Sequence, residues 1–277
     1  MKAGRAARWG RAVAAAVVAA LFLLPLAFML SGSLRKPGLP PPRTPELLPD
    51  PLVLGNYGRA VELVDLGRAT ANSLLVATVA AVLSVLVASW AGFAIARLSR
   101  RWADALVAAS LAALMVPLTA LLVPRFTLFR TLGLTDTYVP LIAPALLATS
   151  PFYVLVFWWA FRRLPPELYD ACRLEGMGPP AIWRRMAMPL VKPVTVGIGV
   201  LAFLVAWGNF LDPLIYIFDR DLFTLPLALK SLAQLDRTNY PLLLAGAVVA
   251  TAPVIAVFLV AQRWFLHEHR GAGWLGR

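Results

Sequence analysis

Residues 71–101 read ANSLLVATVAAVLSVLVASWAGFAIARLSRR. From Ser73 to Ala96 no residue is charged, and the run then closes on Arg97, Arg100 and Arg101. A helix needs ~20 predominantly apolar residues to cross the hydrocarbon of a bilayer, and this run is long enough. It does not alternate apolar with polar residues as a barrel strand does. Helices and closed barrels are the two structures that satisfy every backbone group in lipid, so the run reads as a membrane-spanning helix. The arginines at its end mark one membrane face.

Five further apolar segments lie around it. The six predicted spans are 12–31, 70–96, 104–124, 138–160, 191–217 and 242–263. The chain is 60% hydrophobic with mean hydropathy +0.74, whereas an average soluble domain is about 45–50% apolar. The expected fold is an all-α polytopic membrane protein with six transmembrane helices. The first segment follows a short basic stretch. Its apolar run exceeds the ~7–15 residues of a signal-peptide core and no convincing small-residue cleavage site closes it, so it reads as a span.

The formal net charge of +12 would suggest nucleic acid in a soluble protein. Its placement argues otherwise. With the N-terminus inside, sixteen of the 26 Lys and Arg fall on inner segments, among them Arg97, Arg162, Arg163, Arg173, Arg184, Arg185 and Lys192. Nine of the 14 acidic residues fall outside. The Lys/Arg bias sets topology, so both termini are expected in the cytoplasm of a multi-pass inner-membrane protein, with membrane lipid as its surroundings and no nucleic-acid partner.

Other chemistry is poorly supported. Cys172 is the one cysteine, so no intrachain disulfide forms. His267 and His269 offer two metal ligands where a structural zinc site takes four. No metal, cofactor or catalytic residue is expected. A membrane enzyme would need a nucleophile or metal cluster at the membrane face, and a secondary transporter would need an ionisable relay inside the bundle; neither is evident.

Two outer loops are long: 32–69, proline-rich and therefore expected to be extended, and 218–241. The inner loop 161–190 is charged and has a helical pattern of its own. Pro165 and Pro166 suit a helix start, and Glu167 and Asp170 put negative charge in its first turn. That helix should run to about Glu175 and end on Gly176 in the left-handed conformation. Pro179 and Pro180 open a second helix carrying Trp183, Arg184 and Arg185, and Pro189 should stop it before the next span. The result is a helix–turn–helix along the membrane face, fit to dock a partner or to anchor the bundle.

The same loop resembles the coupling segment of ABC importer permeases, whose pattern is E-A-A, three residues, G, nine residues, I-x-L-P. Asp170-Ala171-Cys172, three residues, Gly176, nine residues and Met186-Ala187-Met188-Pro189 keep that spacing. Asp replaces Glu, Cys the second Ala, and Met both Ile and Leu. Residues 71–101, LVAWGNFLDPLIYIFDRDLFTLPLALKSL and LAGAVVATAPVIAVFLVAQRWF resemble the second, fifth and last spans of the sugar-importing branch, nearest the six-span subunit of maltose-type systems.

The resemblance implies a type I importer permease: one transmembrane domain over 1–277, with core 70–263, N-terminal span and outer loop 12–69, coupling loop 161–190 and tail 264–277. It implies a second permease subunit, two ATP-binding cassette subunits and an extracytoplasmic solute-binding protein as partners. The chain has no G-x-x-x-x-G-K-[ST] phosphate loop, so ATP hydrolysis belongs to those partners. Coupling is assigned to Glu167, Asp170, Ala171, Cys172, Glu175, Gly176, Met186, Met188 and Pro189. Loop 218–241 is expected to reach the binding protein, and the glycine-containing tail the ATPase pair. Among the polar residues in spans, Trp207, Asn209 and Asn72 are candidates for the substrate pathway, against packing roles for Trp207 and Asn209; Asp212 reads as an interface residue. The substrate implied is a sugar or oligosaccharide. A non-sugar solute such as polyamine, phosphate or glycerol phosphate is the alternative, ahead of a membrane-embedded enzyme.

Overall fold

The computed structural model describes residues 2–42, 47–147, 150–236 and 238–266. These residues form helices and no strand. In chain order the helices are α1 (Lys2–Ser33), α2 (Gly55–Val64), α3 (Leu66–Arg97), α4 (Arg100–Leu114), α5 (Leu122–Thr131), α6 (Val139–Leu147), α7 (Pro151–Arg162), α8 (Pro166–Leu174), α9 (Pro179–Ile182), α10 (Met188–Leu190), α11 (Lys192–Trp207), α12 (Leu211–Tyr216), α13 (Leu225–Leu235) and α14 (Tyr240–Leu266).

Four segments are long and apolar enough to cross a membrane: Trp9–Ser33, Leu66–Arg97, Val139–Arg162 and Tyr240–Arg263. Two bent pairs pass the same test when each is taken as one span, which brings the number to six. One bend and one break correct two expectations. The predicted span 104–124 is not one rod. Its helix α4 stops at Leu114, a 3₁₀ turn covers Leu118–Leu121, and α5 leaves at 82° to α4. Pro117 is the physical reason: it supplies no N–H and drives Val116 away from helical backbone. The predicted span 191–217 also breaks. Its helix α11 ends at Trp207, and α12 restarts at Leu211 after Gly208–Phe210.

The second bent pair lies at the other end of α11. There α9, a π-helical turn Trp183–Ala187 and α10 run into α11 through an 87° bend. Pro189 does not stop this helix; the break comes at Val191, whose φ of −101° and ψ of 21° leave the helical region. A proline ring clashes with the carbonyl four residues back, here Arg185, and the π-helical turn takes that stretch off the α register. The helix therefore survives its proline for one more residue.

The chain divides into two compact units. One comprises Met1–Thr70 with Leu225–Pro253. Within it α2 packs on α13. The loop 32–69, expected to be extended, thus contains a helix of 10 residues closed by Asp65 at φ 45°. Buried Asn56 ties α2 to the end of α1, donating to the carbonyls of Ser33 and Arg35, each at 2.8 Å. Ser33 Oγ and Tyr57 Oη add a 2.7 Å bond.

The other unit comprises Ala71–Thr224 with Val254–Arg277. Within it α7 packs on α4 and α11, and α12 on α6. Its core is aromatic: Phe93, Phe157, Phe161 and Tyr169 are all buried, and Phe157 and Phe161 stack with centroids 5.8 Å apart. This unit carries the coupling loop and all the candidate pathway residues.

Candidate functional site

The coupling loop folds as a capped helix, a tight turn and a second helix. Pro166 opens α8 behind Pro165, and Glu167 sits in its first turn, as the sequence pattern required. The other end is a complete Schellman motif. Gly176 at φ 75° donates to Arg173 O at 2.9 Å, and Met177 N donates to Cys172 O at 3.0 Å. Gly178 then caps α9, whose first two residues are Pro179 and Pro180.

Burial divides α8 into two faces. Tyr169 and Cys172 are buried, while Glu167, Asp170, Ala171, Arg173, Leu174 and Glu175 are exposed. Tyr169 Oη donates to Phe161 O at 3.1 Å, anchoring the loop to the end of α7. Arg97, the last residue of α3, lies over the Tyr169 ring at 4.2 Å. Burial raises the Tyr169 phenol above its ordinary pKa of 10.0, and the Arg97 charge lowers it in part. The second helix is pinned by Trp183, which stacks on Trp90 at 4.7 Å, and by buried Ile182 and Ala187. Met186 and Met188 are half-buried on either side of Ala187, and Pro189 is exposed.

Asp170 faces solvent with, among the described residues, Arg173 beside it at 3.5 Å, the two side chains being 66% and 58% exposed. Such a pair contributes ~0–1 kcal/mol and is easily exchanged for another. One turn further along, Leu174 is 90% exposed. The outward face of α8 thus offers the carboxylates of Glu167, Asp170 and Glu175 and one large apolar side chain, Leu174.

At the other end of this unit, Asn72 does not stand alone in its span. Its Nδ2 donates to the carbonyls of Asp221 and Phe223 at 2.9 and 3.0 Å, clasping the segment that follows α12. Asp136 makes a second clasp that sequence reading missed. In left-handed backbone at φ 61°, it accepts from Phe218 N and Asp219 N through Oδ1, both at 2.9 Å, while its own N–H donates to Tyr216 O at 2.7 Å. Trp207 is buried, its ring parallel to Phe203 with centroids 5.7 Å apart. Asn209, just before the N-cap of α12, makes two bonds with Asp212 in its first turn. Asp212 N donates to Asn209 Oδ1 at 3.2 Å, and Asn209 Nδ2 to Asp212 Oδ2 at 2.9 Å.

Asp212 also pairs with Arg125 at 3.4 Å, the side chains being 16% and 22% exposed. The charge at 125, inside an apolar stretch, was the available signal. Asp212→Ala would leave Arg125 largely buried without its carboxylate, and is expected to destabilise the permease by about 1–3 kcal/mol. A thermal melt in detergent reads this as a lowered Tm. Adding Arg125→Met should restore part of the loss, because an unmatched charge costs more than an absent pair. Strictly additive losses would show that the two do not interact.

Of the predicted tail 264–277, residues 264–266 continue α14, and the rest, with His267, His269, Gly271, Gly273, Trp274 and Gly276, lies outside the described residues. Among the described residues no group of three or more His, Cys, Asp or Glu is arranged to hold a metal.

Comparison with known proteins places this geometry. The family model for the binding-protein-dependent transport system inner membrane component matches residues 67–268. The arabinooligosaccharides transport system permease protein AraQ of Halalkalibacterium halodurans is 35% identical over 195 residues, 70% of this chain and 69% of that one. The trehalose transport system permease protein SugB of Mycobacterium tuberculosis is 30% identical over 266 residues, 95% of both chains. In fold, the chain is similar to one from the crystal structure of a bacterial ABC transporter involved in the import of the acidic polysaccharide alginate, with TM-score 0.77, 22% identity and coverage of 96% and 98%. A match that spans both the loop 161–190 and the clasped segment 218–223 leaves one assignment: the chain belongs to the family of inner membrane components of binding-protein-dependent transport systems.

Proposed function

We propose that this chain is the transmembrane subunit of an ATP-driven, binding-protein-dependent sugar importer, and that it forms half of the pathway for a sugar or oligosaccharide. A second permease subunit supplies the other half, two ATP-binding cassette subunits hydrolyse ATP, and an extracytoplasmic binding protein delivers the solute. The observation that carries the reading is the outward face of α8, where Asp170 and Leu174 project from a helix fixed at both ends. Family membership and the printed substrates of the similar permeases, arabinooligosaccharides and trehalose, support a carbohydrate.

In this reading both termini and loop 161–190 face the cytoplasm. Glu167, Asp170, Ala171, Glu175 and the turn at Gly176 meet the ATPase. Cys172, Met186 and Met188 hold the loop against the bundle, and the exposed Pro189 lies at its end, next to α11. Trp207, Asn209 and Asn72 serve the pathway: Asn209 by fixing α12, and Asn72 by holding the 221–223 segment where the binding protein docks.

Reconstitution with the partner subunits tests the substrate. Arabino-oligosaccharides or trehalose, with the binding protein present, should stimulate ATP hydrolysis, whereas spermidine, phosphate and glycerol phosphate should not; stimulation by one of the latter group alone would overturn the sugar reading. Asp170 tests the interface. Asp170→Lys should weaken assembly with the ATPase by more than Asp170→Ala does, because it adds repulsion to the loss of a pair worth about 0.2–1 kcal/mol at an exposed site. Equal, unimpaired assembly of both variants in a pull-down would remove Asp170 from the interface.

A further inference from the structure

Between the end of α3 and the loop helices α8 and α9 lies a cavity of about 240 Å³. Trp90, Phe93 and Ile182 form its apolar wall, and Arg97 and Arg173 stand among its lining residues. Among the described residues, no carboxylate pairs with Arg97; its neighbour is the Tyr169 ring. Arg173 has only the exposed, exchangeable contact to Asp170. The cavity therefore combines an apolar lining with two cationic side chains.

Its depth in the membrane can be read from its surroundings. Arg97 ends the apolar run of α3. Nearby, Arg162 lies over Trp158 at 5.4 Å and Arg163 over Trp159 at 3.8 Å, and Trp90 stacks on Trp183. Tryptophan and tyrosine interleaved with arginine at the end of spans mark the headgroup level of a bilayer. A cationic pocket with an apolar wall at that level matches a phospholipid whose headgroup carries net negative charge.

The geometry points to a binding site for an anionic phospholipid, its phosphate between Arg97 and Arg173 and its acyl chain along Trp90, Phe93 and Ile182. The lipid would sit as a wedge between α3 and the loop helices α8 and α9, so that an anionic membrane stiffens the element that transmits ATP hydrolysis. The inference rests on the inner-face reading of loop 161–190 only for this last consequence; the binding itself needs no orientation.

Native mass spectrometry of the full chain in detergent tests it, with phosphatidylglycerol and phosphatidylethanolamine of identical acyl chains at equal concentration. Phosphatidylglycerol should occupy the protein about fivefold more, the size of one basic residue's attraction to anionic lipid. Arg97→Gln and Arg173→Gln should each remove most of that excess. Ala94→Leu, which fills the cavity and keeps both arginines, should remove it too and guards against a folding defect in the arginine variants. Arg100→Gln with Arg101→Gln, on α4 and outside the cavity lining, should keep it. Equal binding of the two lipids by the wild type, or an excess that survives both Arg97→Gln and Ala94→Leu, would overturn the site. Complete displacement by millimolar inorganic phosphate would also overturn it, as a free-anion site. None of these results bears on orientation, which is read separately by labelling a cysteine placed at Leu174 from either side of the membrane.

Discussion

Gly176→Val is expected to leave the permease in the membrane and to cut transport and substrate-stimulated ATP hydrolysis by about tenfold or more. A Cβ at Gly176 would meet no atom within 4 Å, so crowding is not the cause. The cause is backbone conformation. Gly176 holds φ at 75°, and a β-branched residue there is a genuine outlier costing roughly 1–3 kcal/mol. Relieving that strain means opening the Schellman motif, which frees the bonds from Gly176 N to Arg173 O and from Met177 N to Cys172 O. The turn then no longer fixes α8 relative to α9, and the carboxylate of Asp170 loses its defined position. Gly176→Asn separates conformation from size, because asparagine tolerates the left-handed region. It should keep most of the coupling that Gly176→Val loses. ATP hydrolysis by the reconstituted complex, with and without substrate, measures both; wild-type coupling in the valine variant would deny the turn any role.

That turn was readable from the amino-acid order alone. Two proline pairs and one glycine dictate where helices start and stop on grounds internal to a few residues, and α8 follows them at both ends. The run at 71–101 was equally plain, since a charge-free stretch of that length has few other fates in a membrane protein. What the sequence hid was direction. An apolar run reports that a segment is buried in lipid or protein, not whether its axis is straight, so 104–124 and 191–217 both read as single rods. Pro117 and the Gly208–Phe210 break were visible as residues, but proline and glycine are common enough in membrane helices that the first does not announce its 82° turn, nor the second the end of α11.

Partners far apart in sequence were hidden for a different reason. Asn72 bonds a carbonyl 149 residues away, and Asp136 accepts from Phe218 N across 82 residues. No periodicity encodes such a bond. Asn72 reads as a polar residue inside a span, and its backbone acceptors cannot be seen from one strand of letters. Tyr169 was likewise passed over inside a charged loop, and Trp183 was named there without its partner, although their rings fix that loop to the bundle. Even Pro189 misled, since its local effect was absorbed by the π-helical turn before it.

Gly92→Ala, a single added methyl, is expected to be the most damaging change of its size in the chain's second unit. A Cβ at Gly92 would lie 2.7 Å from both Phe157 Cβ and Trp158 N, and 2.9 Å from Val154 O. Two of those three atoms are backbone and the third is the root of a side chain, so none can swing aside. At this crossing α3 and α7 approach as closely as their main chains allow, the contact that small residues exist to permit between membrane helices. Overpacking usually costs about 1–3 kcal/mol when side chains can adjust; here the helices themselves must separate, which places the cost at or above that range. Separation would also pull on function, because α7 ends at Arg162 just after Phe161, whose carbonyl holds Tyr169, and α3 ends at Arg97, which covers the same ring. Gly246→Ala is the fitting control. Its nearest neighbours are the terminal methyls of Leu229 and Leu232, which can rotate away. Thermal melts of the two variants in detergent should show a Tm drop of several degrees or loss of folded protein for Gly92→Ala, and little change for Gly246→Ala. An unshifted melt for Gly92→Ala would mean that the two helices do not meet at this glycine, and the anchoring of the coupling loop would have to be sought elsewhere.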